Sequence, residues 1–495
     1  MVPSYEALRH RRSYRLAGAF AVLVLVCSLP RMGQTRADEA PRAAPAERAA
    51  GAAKPPNVLF IAVDDLNDWV GALGGHPQAR TPHIDELAAR GVLFTRAYCA
   101  APACNPSRVA LMTGRRPSST GVYHNSDPWR RALPDAVTLA QHFRSGGYSV
   151  AGAGKIYHGG FDDPPSWDEY LPRPADPVPA GRPLNGLAKT AQFDWGPIDV
   201  PDEAMGDARV VDWALAFLDR PREQAFFLAV GLYRPHLPWY VPPAYFEPFP
   251  AAGVVLPEVP RDDLDDVPEA GRRIAKPEGD HRRVTESANW RRAVSAYLAS
   301  IAFADRQIGR LIAGLDARGL AKSTVIVLWG DHGWHLGEKQ HWRKFALWEA
   351  ATRVPFLVVA PGVTKEKQRC ARTASLLDVY PTLIELCGLA KRDDLEGRSL
   401  VPLLRDPGAA WDHPVVTTHG RGNHAVRSER WRYIRYAGGG EELYDHDADP
   451  DEWKNLAGNE ELASVRARLA AALPSTDAAG IPARLRRLTS PERSE

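Results

Sequence analysis

The sequence predicts an α/β protein built on a large, mostly parallel sheet, and three observations carry that expectation. Continuous apolar runs of strand length recur along the chain, segments of helical periodicity lie between them, and ionisable residues follow the ends of several runs. In a parallel α/β sheet those ends open on one edge, where ligands bind. The runs are NVLFIAV (Asn57–Val63), YSVAGAG (148–154), AFFLAVGL (225–232), STVIVLWG (323–330) and VPFLVVAPG (354–362). Their apolar centres show no alternation, as expected of strands covered on both faces. The clearest helix is RRAVSAYLASIAFADRQIGRLIAGLDARG, where Val294, Leu298, Ile301, Ile308, Leu311 and Leu315 recur at helical spacing and Gly319 closes the end.

The chain has 495 residues, which suits one large domain and a smaller one. Residues 1–37 are expected to be a signal peptide: a basic stretch, RHRRSYR, precedes the 15-residue apolar run LAGAFAVLVLVCSLP, which is short for a membrane span. Thr35-Arg36-Ala37 offers a small-residue cleavage point, and Arg11-Arg12 also fits a twin-arginine signal. The expected location is therefore periplasmic or extracellular, reached through the Sec or Tat export machinery. Residues 38–56 read as an Ala/Pro-rich linker, 57–400 as a catalytic domain and 401–485 as a smaller antiparallel subdomain. Residues 164–201 hold nine prolines and 242–280 are rich in Pro and Asp, so both are expected to be irregular surface insertions.

Composition excludes some partners. With 62 basic and 60 acidic residues the net charge is +2, giving no electrostatic case for nucleic acid. Of five cysteines, Cys27 lies in the leader, and Cys99, Cys104, Cys370 and Cys387 match no zinc or redox spacing. Cys99 and Cys387 read as core packing.

The residues after the strands narrow the chemistry. Asp64 and Asp65 follow the first run, Lys155 and His158 the second, His236 the third, and Asp331 and His332 the fourth, with Lys344 beyond. Taken singly, each has an ordinary role as a helix cap, a turn residue or a solvated charge. Together, at four strand ends, they suggest one crevice. His335 and His341 have no such argument. Three converging carboxylates repel and need a cation, and oxygen ligands favour a hard ion, Ca²⁺ or Mg²⁺, over zinc. A metal beside two lysines, Arg108 and imidazoles suits a tetrahedral oxyanion ester, a sulfate or a phosphate.

CNPSRVALMTGR (104–115) resembles the sulfatase signature Cys-x-Pro-Ser-Arg-x-x-x-x-Thr-Gly-Arg and matches it at every fixed position. The likeness runs from about Pro56 to Ala457. It is strongest toward iduronate-2-sulfatases and their bacterial relatives, at NVLFIAVDDLNDWVG, GKIYHGG, FFLAVGLYRPHLPW and GDHGWHLGEKQHWRKFALWEAATRVP. The resemblance implies an alkaline-phosphatase-like fold and oxidation of Cys104 to formylglycine (3-oxoalanine). The oxidising partner would be a formylglycine-generating enzyme or an anaerobic sulfatase-maturating enzyme. It further implies calcium held by Asp64, Asp65, Asp331, His332 and residue 104, with Arg108 steadying the formylglycine. Lys155, His158, His236 and Lys344 would surround the sulfate. In the implied mechanism one hydroxyl of the hydrated aldehyde attacks sulfur, His236 protonates the leaving sugar oxygen, and the second hydroxyl, attended by His158, expels sulfate.

The expected substrate is a sulfated carbohydrate, specifically a 2-O-sulfated uronate such as iduronate 2-sulfate. Arg421, Arg427 and Arg435 are candidate partners for its carboxylate. The alternatives are a phosphonate or phosphate ester hydrolase of the same superfamily and a non-catalytic protein that binds sulfated glycans.

Overall fold

The computed structural model describes residues 54–187 and 192–486. The expected leader, with its cleavage point, and nearly all of the expected linker lie outside these residues. Among the described residues no helix is long and apolar enough to cross a membrane.

Eight strands form the main sheet: β1 (Asn57–Val63), β2 (Val92–Tyr98), β3 (Ser149–Gly154), β4 (Glu169–Pro172), β5 (Phe226–Leu232), β6 (Thr324–Gly330), β7 (Phe356–Val359) and β8 (Gln368–Ser375). Their spatial order is β8-β2-β7-β6-β1-β5-β3-β4, and only β7 runs against its neighbours. All five apolar runs form strands of this sheet. The structure adds β2, β4 and β8, which no such run announces. β8 carries QRCARTAS and β4 only EYLP because both are edge strands with a half-exposed face.

Both faces of the sheet are covered. Along β1, Leu59, Ile61 and Val63 join one hydrophobic cluster while Val58, Phe60 and Ala62 join another. That division is the period-2 alternation of a strand with apolar layers on each side. The first layer contains α2 (Gly206–Leu218) and α3 (Trp290–Ala317), and the second contains α1 (Cys104–Thr113) and α4 (Val379–Leu386). The six periodic residues of α3 are each no more than 1% exposed, as their spacing requires.

The Pro-rich insertions are less uniform than expected. The first supplies β4, and the second contains a helical turn pair at Glu269–Ala275. Toward the C-terminus, β9 (Val415–Thr418), β10 (His424–Arg427), β11 (Trp431–Arg435) and β12 (Glu441–Asp445) make a four-stranded antiparallel sheet in sequential order.

One close approach in the main sheet bears on the site. A Cβ on Gly231, in β5, would lie 2.3 Å from the carbonyl carbon and oxygen of Lys155. Gly231→Ala therefore has to push β5 away from the end of β3. The expected cost is about 1–3 kcal/mol of unfolding free energy, together with displacement of Lys155. Denaturant melts and activity measured on the same preparation check this, and an unchanged midpoint would refute it.

Candidate active site

The main-chain ladder continues past the strand ends and fixes the residues just beyond them. Asp64 N–H donates to Leu232 O at 3.1 Å, Lys155 N–H to Gly231 O at 2.9 Å and Asp331 N–H to Val63 O at 3.3 Å. Strands β1, β3 and β6 thus present Asp64, Lys155 and Asp331 at one edge, as the parallel topology predicts. Asp65 comes next with a left-handed backbone (φ 60°), a conformation costly for a residue with a Cβ and concentrated at functional sites. Its N–H donates to Asp331 Oδ1 at 3.0 Å, and its carbonyl accepts from Tyr297 Oη at 2.7 Å.

The signature segment enters this edge as α1. Ala103 is extended and Cys104 is the first helical residue, so the thiol sits at the positive end of the helix. Gly114 closes α1 in the left-handed conformation that glycine adopts without cost. Ser107 Oγ donates to the carbonyl of Asp331 at 2.5 Å. Arg108 is fully buried and bridges the strand ends. Its Nε donates to Asp331 Oδ2 at 2.8 Å, its Nη2 to Asp64 Oδ1 at 2.9 Å, and its Nη1 to the carbonyls of Lys155 and Ile156.

Around Cys104 Sγ the polar atoms are close. Lys344 Nζ lies at 3.0 Å, His332 Nε2 at 3.3 Å, and Lys155 Nζ and Asp65 Oδ1 at 3.9 Å. Lys344 also contacts Asp65 Oδ1 at 3.1 Å, and Lys155 pairs with Asp64 Oδ2. The Nδ1 of His332 faces Gly333 O at 3.0 Å, and a carbonyl only accepts, so in the neutral ring Nε2 carries the lone pair. His236 is oriented the same way by Leu237 O, 2.6 Å from its Nδ1, which turns Nε2 toward Asp65 Oδ2 at 3.8 Å.

Electrostatics follow from this crowding. Burial raises the Asp64 carboxyl, but Lys155 and Arg108 outweigh it and hold the group well below the usual range. Asp331 moves the other way, because burial exceeds the opposing effect of Arg108. Burial pushes the Cys104 thiol up to about 11 against the pull of both lysines. Burial lowers His236, yet the Asp65 carboxylate more than compensates and brings the ring to about 9.

The donor set suits a hard cation. Ligand atoms of Asp64, Cys104, Asp331 and His332, and of Asp64, Asp65, Cys104 and His236, lie within 4.8 Å of one another in two overlapping groups. The buried Asp65 Oδ2 accepts no hydrogen bond, an open acceptor of the kind a cation uses. Three carboxylates and one imidazole fit an oxygen-preferring divalent ion.

A second cluster, Glu349, His446 and Glu452, also brings ligand atoms within 4.8 Å. Arg432 pairs with both of its carboxylates and Arg427 Nε with Glu349 at 3.2 Å, so guanidinium groups already provide its counter-charge. This network joins the C-terminal sheet to the short helix Glu349–Thr352 that precedes β7. It also corrects the expectation for Arg427, which is buried in the network rather than presented to a ligand. Arg421 donates to Asp477 O at 3.2 Å, and Arg435 stands opposite Glu441 across β11 and β12.

Beside the cluster is a cavity of about 40 Å³ lined by Lys155, His158, Asp162, Arg173, Tyr233 and His236 among others. The structure thus brings together every residue singled out at the strand ends, with His158 on the cavity wall. Arg173 and Tyr233 were not singled out. Tyr233 directly follows β5 and was within reach of the strand-end argument, whereas Arg173 follows β4, a strand hidden by its prolines.

Comparison with known proteins agrees with this geometry. The sulfatase family model matches residues 56–389, and the C-terminal model of N-sulphoglucosamine sulphohydrolase matches 337–478. A sulfatase of Formosa agariphila is 39% identical over 86% of this chain and 87% of its own. Human iduronate 2-sulfatase is 31% identical over 70% of this chain and 68% of its own. A Δ4,5-hexuronate-2-O-sulfatase of Bacteroides thetaiotaomicron is 30% identical over 85% and 88%. Among solved structures, a phosphonate monoester hydrolase from Silicibacter pomeroyi superposes with a TM-score of 0.70 at 23% identity, covering 84% of this chain and 94% of that one. That likeness speaks for the fold alone, an alkaline-phosphatase-like sheet with a small C-terminal antiparallel sheet. Signature, strand-end cluster and family match converge: the chain belongs to the sulfatase family, whose members hydrolyse sulfate esters.

Proposed function

We propose that the protein removes the 2-O-sulfate of a terminal uronate such as iduronate 2-sulfate, using Cys104 converted to formylglycine and a Ca²⁺ ion. The observation that carries this reading is the buried nest around Cys104 Sγ, with Lys344 at 3.0 Å, His332 at 3.3 Å and Lys155 at 3.9 Å. The uronate is supported by two relatives named for 2-O-sulfated uronates. Conversion of Cys104 by a maturating enzyme and export to the periplasm or beyond belong to the same reading.

Asp64, Asp65, Asp331 and His332, with residue 104, would hold the ion. Calcium, when bound, supplies Lewis-acid polarisation, and the modified residue supplies the nucleophilic oxygen. The chain provides the rest. Lys155 and Lys344 place two ammonium groups where charge develops on the sulfuryl oxygens. Arg108 bridges Asp64 and Asp331 and helps hold Asp64 ionised. His236, whose Nε2 lies 3.8 Å from Asp65 Oδ2 and which lines the adjoining cavity, would give the leaving sugar oxygen its proton.

The test is a desulfation screen on defined sulfated mono- and disaccharides, with and without chelator. Sulfate release from a terminal 2-O-sulfated uronate is expected to exceed release from its carboxyl-reduced analogue by about ten- to hundredfold. Chelation is expected to abolish activity and added Ca²⁺ to restore it. Equal efficiency on the reduced sugar, an aryl sulfate or choline sulfate would remove the uronate assignment. Faster cleavage of a phosphonate or phosphate ester would remove the sulfate preference as well.

A further inference from the structure

We propose that Arg173 is the residue that recognises the carboxylate of the acidic sugar, from the cavity wall it shares with Lys155, His158 and His236. The inference deepens the uronate reading and rests on it.

Placement is the first ground. Lys155 and His236 contact the Cys104 cluster and also line the cavity that Arg173 lines, so the cavity borders the proposed sulfate site through two shared residues. The Arg173 guanidinium stacks on the Tyr233 ring with its central carbon 4.0 Å from the centroid, and Lys155 Nζ lies 5.1 Å from the same centroid. One aromatic ring therefore sets the spacing of the two cationic heads. In a pyranose the C5 carboxylate lies across the ring from the C2 sulfate, so a 2-O-sulfated uronate presents two anions at its two ends. A pair of cations held on a common ring, one 3.9 Å from Cys104 Sγ and one on the cavity wall, complements that arrangement.

Availability is the second ground. The nearest acid to Arg173 is Asp176, whose Oδ2 lies 3.9 Å from Nη1. Asp176 is already engaged: its Oδ2 pairs with Arg234 at 2.8 Å, and its Oδ1 accepts the Gly206 N–H at 2.8 Å. The remaining contact of Arg173, to Pro174 O, is 3.5 Å long. Its planar fork thus keeps donors for a bidentate carboxylate, while stacking on Tyr233 limits the freedom lost on binding. Arg421, Arg427 and Arg435 offer no comparable case, since none of them lines this cavity. Asp162, also on the wall, can accept hydrogen bonds from sugar hydroxyls.

The experiment compares wild type, Arg173→Gln and Arg173→Lys on a 2-O-sulfated uronate and on the same sugar with its carboxylate reduced to an alcohol. The expected result is a ten- to hundredfold fall in the kcat/KM ratio of the two substrates for Arg173→Gln, with partial recovery in Arg173→Lys. In a Cys104→Ala background, calorimetry is expected to show the Kd for the sulfated uronate rising by the same factor. A wild type without preference for the uronate would overturn the proposal together with the uronate reading. A wild type with the preference, and an Arg173→Gln variant that keeps it, would overturn the role of Arg173 alone. Equal loss on both substrates would assign Arg173 to the architecture of the cavity and likewise overturn the proposal.

Discussion

Cys104→Ser is expected to lose activity by about a thousandfold or more while melting within about 1 kcal/mol of the wild type. Serine is only slightly smaller than cysteine and keeps a polar atom near Lys344 and His332, so α1 and its contacts have little reason to shift. The loss is chemical. Formylglycine arises by replacing the sulfur of the cysteine side chain with oxygen and removing two hydrogens. A serine that attacked sulfur would be left as a sulfate ester with no second hydroxyl on its Cβ to expel it. Mass spectrometry of the peptide containing residue 104 makes the test specific: the wild type is expected to carry that sulfur-for-oxygen change, and the variant none. Cys99→Ser is the control. Its thiol is buried, contacts Ala351 O at 3.9 Å and is not among the atoms around Cys104 Sγ, so most activity should remain. A Cys104→Ser enzyme within tenfold of wild type would rule out the formylglycine reading.

Legibility in the sequence followed burial and sequence distance. Strands β1, β5 and β6 lie in the middle of the sheet, are covered on both faces, and so appear as uninterrupted apolar runs. The edge strands β4 and β8 carry the polar and proline residues that an edge tolerates, which removed their signal. The reversed direction of β7 could not be read at all, because a four-residue apolar strand looks the same either way round. At the site, the strand-end rule was enough to collect Asp64, Asp65, Lys155, His236 and Asp331, since a parallel sheet places all such residues on one edge. Arg427 shows where the rule stops. An arginine in a short strand gives no sign that its partner is Glu349, 78 residues earlier, and pairings of that kind exist only once the C-terminal sheet is docked. Arg173 was missed for a related reason, since its significance comes from Tyr233, sixty residues later in the sequence.

Arg108→Lys is expected to be the most destabilising conservative substitution in the site. The guanidinium joins Asp64, Asp331 and the carbonyls of Lys155 and Ile156, all fully or nearly fully buried, and thereby ties α1 to the ends of three strands. Burial alone would lower the Arg108 pKa, but Asp331 and Asp64 outweigh it and keep the group charged. A lysine retains the charge but not the planar fork, so it can serve one carboxylate and leaves the other with an unmet partner. Asp64 keeps Lys155 and Asp331 keeps the Asp65 N–H, so the expected cost is that of a charge-assisted hydrogen bond left unmade in a dry site, about 1–3 kcal/mol. The same loss lets Asp64 and Asp331 move relative to each other, which should weaken metal retention and activity together. Denaturant unfolding, metal content by elemental analysis and turnover, measured on one preparation, separate the possibilities. A midpoint shift with loss of metal and activity is the expected pattern. If Arg108→Lys instead kept its unfolding midpoint and its metal but lost turnover, the arginine would be acting on the sulfate or on residue 104, and its role as the brace of the carboxylates would be wrong.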